Sequence, residues 1–306
     1  MRIVTSFGPE PCSGSVATAL AWTRQLERVG HVVQPADEDE DWAGADVALV
    51  HLEDAERLVG LGRRYHVPLV VLARRLREMR RVDPRRFSLA VFPSAAFAGE
   101  ARWNASKLVA RPPIYVDEFR VPLEPEGRIT LVNLSVESGA SMLFDLVRRQ
   151  PGRKFLAVRG CVGRQLPPPG NIPNLEVVGP VDGVGGMREI YARTRLLLMP
   201  ADQTYGRVAV EAACSGIPIL AHPSLAAMET MAAGALWVAR ERHDDWHAWF
   251  RRLDKPAEYA KASKAALDRA VRLDPTHDIA ALLSRLEAVA SAGWSSAYAD
   301  ATYHAS

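Results

Sequence analysis

Cysteine is scarce in this sequence: Cys12, Cys161 and Cys214 are far apart, odd in number and form no C-x-x-C pair. That excludes a zinc ribbon and argues against a disulfide framework, so free thiols are expected. Long apolar runs are missing too. The best of them, residues 67–73 and 196–200, fall far short of the ~18 residues that a bilayer-spanning helix needs. The opening MRIVTSFGPEPCSGS has one basic residue and an early Gly/Pro break. It lacks the apolar core of a signal peptide and reads as a first strand, so a cytoplasmic location is expected. No charge of one sign dominates, since 38 Lys+Arg meet 36 Asp+Glu for a formal net charge of +2. That is too near zero to suggest by itself a nucleic-acid or membrane surface.

Several catalytic signatures are likewise absent. There is no G-x-x-x-x-G-K-[ST] phosphate loop and no G-x-S-x-G nucleophile elbow. The nearest approach to a dinucleotide fingerprint, Gly183-Val184-Gly185-Gly186, has Arg188 at the third glycine position and reads as a turn. His243 and His247 are four apart on a helix. No third ligand is placed by sequence, and a solvated helix face is the simpler reading, so no metal is expected.

What is present is an ordinary globular composition, 48% hydrophobic and 24% charged over 306 residues, enough for about two domains. Short Val/Ile/Leu runs at 2–5, 31–34, 45–51, 68–72 and 89–92 alternate with helical patterns at 15–29 and 55–65. Continuous apolar strands, most followed by a helix, mean a parallel sheet covered on both faces. The alternation breaks in RPPIYVDEFRVPLEPEG at 111–127, a boundary composition. It restarts with strands at 129–134, 154–158, 175–178, 195–199, 218–221 and 235–238, and the chain ends in helices near 243–253, 256–273 and 279–291. The expected fold is α/β, two Rossmann-like doubly wound domains facing a cleft, divided as 1–120 and 121–285 with a tail at 286–306. Ligands of such sheets bind beyond the carboxyl ends of the strands.

The informative stretch is LMPADQTYGRVAVEAACSGIPILAHP at 198–223, followed by Glu229. A buried strand ends at Pro200, a polar loop carries Gln203, Thr204, Tyr205 and Gly206, and a helix opens with Arg207 and Val208. Exposed N–H groups at a helix start hold phosphate oxygens, and Gly206 lets backbone approach closely. Glu211, roughly 7 Å along that helix, can accept two hydrogen bonds from a ribose diol. The alternative is a loop and helix in which Glu211 merely faces solvent.

These residues resemble the retaining GT-B glycosyltransferases of family 4, which carry a Glu, seven residues, Glu pattern followed by a Glu after the next strand. Here the pattern is Gln203, seven residues, Glu211, with Tyr205-Gly206 in the aromatic-glycine slot, and Glu211-Ala212, Gly216, Pro218 and Glu229 also match. The likeness extends over most of residues 128–239. More weakly, Ser13-Gly14-Ser15, Gly30-His31 and Pro112-Pro113 match segments of the family's first domain. The resemblance implies a sugar transfer from a nucleoside-diphosphate donor (UDP or GDP) to an acceptor hydroxyl, with retention and without a metal or other cofactor. It puts the donor in the second domain and the acceptor in the first. Gln203, Thr204, Tyr205, Gly206, Val208 and Glu211 would then bind the donor, Gly14 would lie beside the diphosphate, and the base would sit near Val178. The tail, with Trp294, Tyr298 and Tyr303, would pack back on the first domain.

Two departures stand out. The family's first glutamate is Gln203, and its Arg and Lys phosphate clamp aligns with LVNLSVESG, so the basic slots are Asn133 and Ser138. Arg159, Arg164 and Arg207 are the candidate replacements, with Arg159 and Arg207 put first. His51, after a strand, is a candidate to assist the acceptor hydroxyl or a structural histidine. Nine arginines lie between Arg63 and Arg86, as a solvated helix face or as a docking surface for an anionic acceptor, a membrane or nucleic acid. Two alternatives to an enzyme of this kind stand: a non-catalytic nucleotide-sugar or partner binder, and a glycosyltransferase acting on a modified base in DNA.

Overall fold

A computed structural model describes residues 1–7, 14–124 and 126–294. The chain divides into two compact units, each built on a six-stranded, all-parallel sheet. In the first, strands β1 (Arg2–Ser6), β2 (Val32–Pro35), β3 (Val47–Val50), β4 (Leu69–Leu72), β5 (Leu89–Phe92) and β6 (Lys107–Val109) lie in the order β2-β1-β3-β4-β5-β6. In the second, β7 (Arg128–Val132), β8 (Phe155–Val158), β9 (Leu175–Val178), β10 (Thr194–Met199), β11 (Ile219–Ala221) and β12 (Leu236–Trp237) lie in the order β12-β11-β10-β7-β8-β9.

Both sheets are covered on both faces, which is why their strands read as unbroken apolar runs. The helices of the first unit are α1 (Gly14–Arg28, which joins this unit from Thr18 onward), α2 (Ala55–Tyr65), α3 (Leu76–Met79) and α4 (Ala95–Ala101). Along β3, Ala48 and Val50 join a core with Leu58 and Leu61 of α2, while Val47 and Leu49 join one with Trp22 and Leu26 of α1. The second unit adds α5 (Val116–Phe119), α6 (Ala140–Arg148), α7 (Gly183–Ala192), α8 (Arg207–Ala213), α9 (Leu225–Met231), α10 (His243–Arg252) and α11 (Pro256–Arg272). Along β10, Leu197 and Met199 face Ala209 and Val210 of α8, whereas Leu196 and Leu198 share a core with Leu143 of α6 and Trp246 of α10.

The last helix, α12 (Thr276–Ala292), groups with the first unit from Pro275 onward, although the sequence reading left residues up to 285 in the second domain. Its apolar stripe decides the matter: Leu282 and Leu286 are buried on the β1–β3–β4 face, with Ile279, Leu283 and Val289 beside them. Arg111 fastens its first turn, donating from Nε to Asp278 Oδ2 at 2.8 Å. Trp294 packs half-buried on the opposite core of the same unit; Tyr298 and Tyr303 lie outside the described residues. Because Asp278 is 6% exposed, Asp278→Ala is expected to cost about 1.5–3 kcal/mol, the range for a hydrogen bond to a charged group. Urea denaturation measures that loss.

Other sequence expectations need correction. Gly183-Val184-Gly185-Gly186 is the first turn of α7, not a free turn; burial of Ile190 and Tyr191 holds the helix in place despite its glycines. His247 is 7% exposed, bonded to Gln150 Nε2 at 3.0 Å, rather than part of a solvated face. Cys214 is free and buried, but Cys161 is disulfide-bonded, against the expectation of free thiols; Cys12 lies outside the described residues. Among the described residues no helix is long and apolar enough to cross a membrane.

Candidate functional site

Strand order alone marks one place in the second unit. From β7 the chain moves outward through β8 to β9, then returns to β10 on the other side of β7 and continues to β11 and β12. The loops after β7 and β10 therefore part in opposite directions and leave a crevice at their carboxyl ends, the usual ligand position in an open α/β sheet. Those loops carry Asn133 to Gly139 and Pro200 to Gly206, with Arg159 and Val178 ending the neighbouring strands. The sheet thus brings Gln203, Thr204, Gly206, Asn133, Ser138, Arg159 and Val178 to one edge. The two loops are in close contact: a Cβ on Gly139 would fall 2.4 Å from Pro200 Cγ.

On the β10 side, Tyr205 turns into the core at 4% exposure and Gly206 takes φ +87° as the cap of α8, a conformation that favours glycine. Gln203 is held by its backbone N–H, which donates to Ser224 Oγ at 3.2 Å, and by its Nε2, which donates to Ala201 O at 3.2 Å. Thr204 is exposed and Val208 half-buried. A small pocket beside this loop is lined by Met199, Gln203, Tyr205, Gly206, His222 and Trp237, with further apolar residues. Glu229 lies on the exposed side of α9.

Glu211 does not face solvent; it is 4% exposed. Tyr191 Oη donates to its Oε2 at 2.7 Å, and Arg207 Nε lies 2.6 Å from its Oε1. Burial pushes the Glu211 carboxyl above its ordinary range, with Arg207 and Tyr191 opposing that shift. The Arg207 contact is an ion pair without hydrogen-bond geometry, since Nε and Nη1 have no hydrogen-bond partner in the structure. The Arg207 side chain is 9% exposed and its guanidinium lies 6.0 Å from the Phe119 ring centroid. It is thus committed inward, toward Glu211 and Phe119.

The two slots where basic residues were sought are filled by a neutral network. Asn133, at φ +67°, donates from Nδ2 to Ser138 Oγ at 2.8 Å and to Ser135 Oγ at 3.3 Å. Gln165 donates to Asn133 Oδ1 at 2.9 Å and accepts from Gly160 N–H at 2.9 Å. Glu137 adds a negative charge nearby, its carboxyl held below the ordinary value by backbone N–H donors, its own and that of Arg164. Gln165 and Tyr191 escaped the sequence reading, because neither falls within a motif. Arg159 is different: its N–H is pinned to Val178 O at 3.0 Å while the exposed side chain has no partner among the described residues.

Gly14, which opens α1, groups with the second unit rather than with the first, where the sequence puts it. His51 follows β3, at the place where that sheet's order reverses between β1 and β3. It is buried rather than open, 3% exposed, with its ring 4.8 Å from that of Phe7. Burial, with Arg74 and Arg75 nearby, lowers its pKa to about 3, which leaves it neutral and a poor base near pH 7. A histidine whose folded pKa lies below its unfolded value stabilises the fold above the unfolded value, and the contribution is lost as pH falls. Stability should therefore drop by about 1.4 kcal/mol per pH unit from this group between about 6.5 and 3, and His51→Gln should flatten that limb in acid denaturation.

Four of the nine arginines between Arg63 and Arg86 form ion pairs. Arg74 pairs with Glu53 and Glu78, Arg75 with Glu78, Arg85 with Asp83 and Arg86 with Glu56. Arg63, Arg64, Arg77 and Arg81 are exposed. Such surface pairs suit a solvated face.

No family model and no curated protein matches the sequence. Solved structures do. HepE from Anabaena, solved in complex with UDP and glucose, superposes with a TM-score of 0.73 at 14% identity, covering 94% of this chain and 99% of its own. Sucrose-phosphate synthase from Thermosynechococcus elongatus gives 0.74 at 13% identity over 95% and 99%. AviGT4, a glycosyltransferase of avilamycin A biosynthesis, gives 0.61 at 15% over 96% and 100%. The fold is GT-B. At these identities the likeness establishes the GT-B fold alone.

Proposed function

We propose that this GT-B chain is a retaining glycosyltransferase, similar to family 4, that takes its sugar from a nucleoside-diphosphate donor. Uridine diphosphate is the first donor to test, because HepE was solved with UDP. What supports the reading is the Gln203–Gly206 loop at the carboxyl end of β10, beside the crevice between β7 and β10, leading into α8, which carries Glu211. On this reading Glu211 accepts from the ribose hydroxyls, the Gln203–Gly206 loop meets the sugar and phosphates, and the base lies near Val178. The acceptor oxygen bonds to the sugar's anomeric carbon as the bond to the diphosphate breaks, and the acceptor's proton passes to the departing phosphate oxygen. Such a step needs no protein nucleophile. It needs no metal where backbone N–H groups and a cation stabilise the leaving group; Arg159, whose exposed side chain has no partner among the described residues, is the candidate cation.

A second reading is favoured by one observation. The Asn133–Ser135–Ser138–Gln165 network is neutral and internally satisfied, which suits a protein that binds a nucleotide sugar without turning it over. Release of free UDP from a panel of UDP-sugars, with pooled candidate acceptors, separates the two. Acceptor-dependent release supports the enzyme; binding without release, together with activity gained in Ser138→Lys, supports the binder.

A further inference from the structure

We infer that Tyr191 is a positioning residue for the donor nucleotide, fixing the Glu211 carboxylate so that it can accept from both hydroxyls of a ribose. The inference rests on the reading of Glu211 as the ribose contact and adds a residue twenty positions away in sequence. Tyr191 is fully buried on α7, 0% exposed, and its ring packs edge-on against Phe119 with centroids 6.4 Å apart. Its hydroxyl has one short bond, to Glu211 Oε2 at 2.7 Å, and a longer one to Val208 O at 3.4 Å. Burial and the neighbouring carboxylate push the phenol well above its ordinary range, so the hydroxyl remains a donor throughout neutral pH.

The carboxylate keeps acceptor capacity for a ligand. A carboxylate oxygen accepts about two hydrogen bonds. Tyr191 takes one position on Oε2 and Arg207 lies against Oε1, so each oxygen retains acceptor capacity. The two partners come from different helices, α7 and α8, and hold the carboxylate from both ends. A carboxylate immobilised in this way loses little freedom when a diol binds, and a diol lacking one hydroxyl leaves a buried acceptor unsatisfied. Removal of the Tyr191 hydroxyl should therefore harm recognition of the ribose and spare recognition of the rest of the nucleotide.

The experiment compares UDP with 2′-deoxy-UDP by titration calorimetry on the full chain, as wild type, Tyr191→Phe and Glu211→Gln. The wild type is expected to prefer UDP by about tenfold or more, the size of one hydrogen bond to a charged group. Tyr191→Phe keeps the ring and should lower UDP affinity by about fivefold to tenfold and 2′-deoxy-UDP affinity by clearly less, because that nucleotide retains only the 3′-hydroxyl contact to Glu211. Glu211→Gln should bring UDP close to the 2′-deoxy-UDP value. If Tyr191→Phe weakens both nucleotides equally, or neither, the positioning role falls while the Glu211 reading stands. If the wild type does not discriminate between the nucleotides, or Glu211→Gln leaves UDP affinity unchanged, both fall together.

Discussion

Arg159→Ala will lower turnover by about 10²-fold to 10³-fold while leaving UDP affinity within a few-fold, if the chain is an active transferase. A departing diphosphate accumulates negative charge, and loss of one aimed donor commonly costs that much in rate. Asn133 and Ser138 cannot supply the charge, since their polar groups bond to one another and to Ser135 and Gln165. Arg207 is engaged with Glu211. Arg159 has a fixed backbone at the end of β8 and a side chain with no partner among the described residues. Steady-state kinetics on Arg159→Ala and Arg159→Lys check the expectation. Unchanged kcat in both variants removes Arg159 from the leaving-group site.

Glu211→Ala will have two separable effects. It deletes the ribose contact, weakening UDP by about 1.5–3 kcal/mol. It also leaves the Arg207 guanidinium buried without its counter-charge, a change that costs about 3–5 kcal/mol of fold stability in comparable pairs. The double variant Arg207→Met with Glu211→Leu removes both charges and should recover most of that stability, because a packed apolar pair rivals a buried ion pair. It should not recover UDP binding. Urea denaturation and calorimetry on the single and double variants give the two numbers independently. Equal stability of Glu211→Ala and wild type would mean that the pair contributes little to the fold.

How much of this was legible in the sequence differs from element to element. The loop and α8 were read almost to the residue because Pro200, Gly206 and Gly216 punctuate them and the apolar run between is strongly periodic. The edge strand β6 went unread: it is three residues long, with exposed Lys107 and Val109, and its pairing with β5 is a tertiary fact. The amphipathic pattern of α12 predicted a helix but not its docking surface, since a stripe of Leu282 and Leu286 fits either sheet. Glu211 was found by its spacing from Gln203, yet its burial was not, because Tyr191 reaches it from another helix. His51 was visible as a histidine after a strand; its cover by Phe7 depends on how β1 and β3 pair. Spacing within one element survives in sequence, whereas contacts between elements are set by the strand order.

On the proposed reading, the crevice between β7 and β10 binds a nucleoside diphosphate whose ribose is held by Glu211. Thermal unfolding of the wild type in rising UDP tests it most directly, with Glu211→Gln alongside. The expected result is a saturable rise in melting temperature for the wild type, equivalent to about 2.7 kcal/mol at 100 times the dissociation constant, and a curve shifted to higher UDP in Glu211→Gln. No stabilisation of the wild type by uridine, guanosine, adenosine or thymidine diphosphate at millimolar concentration would contradict it.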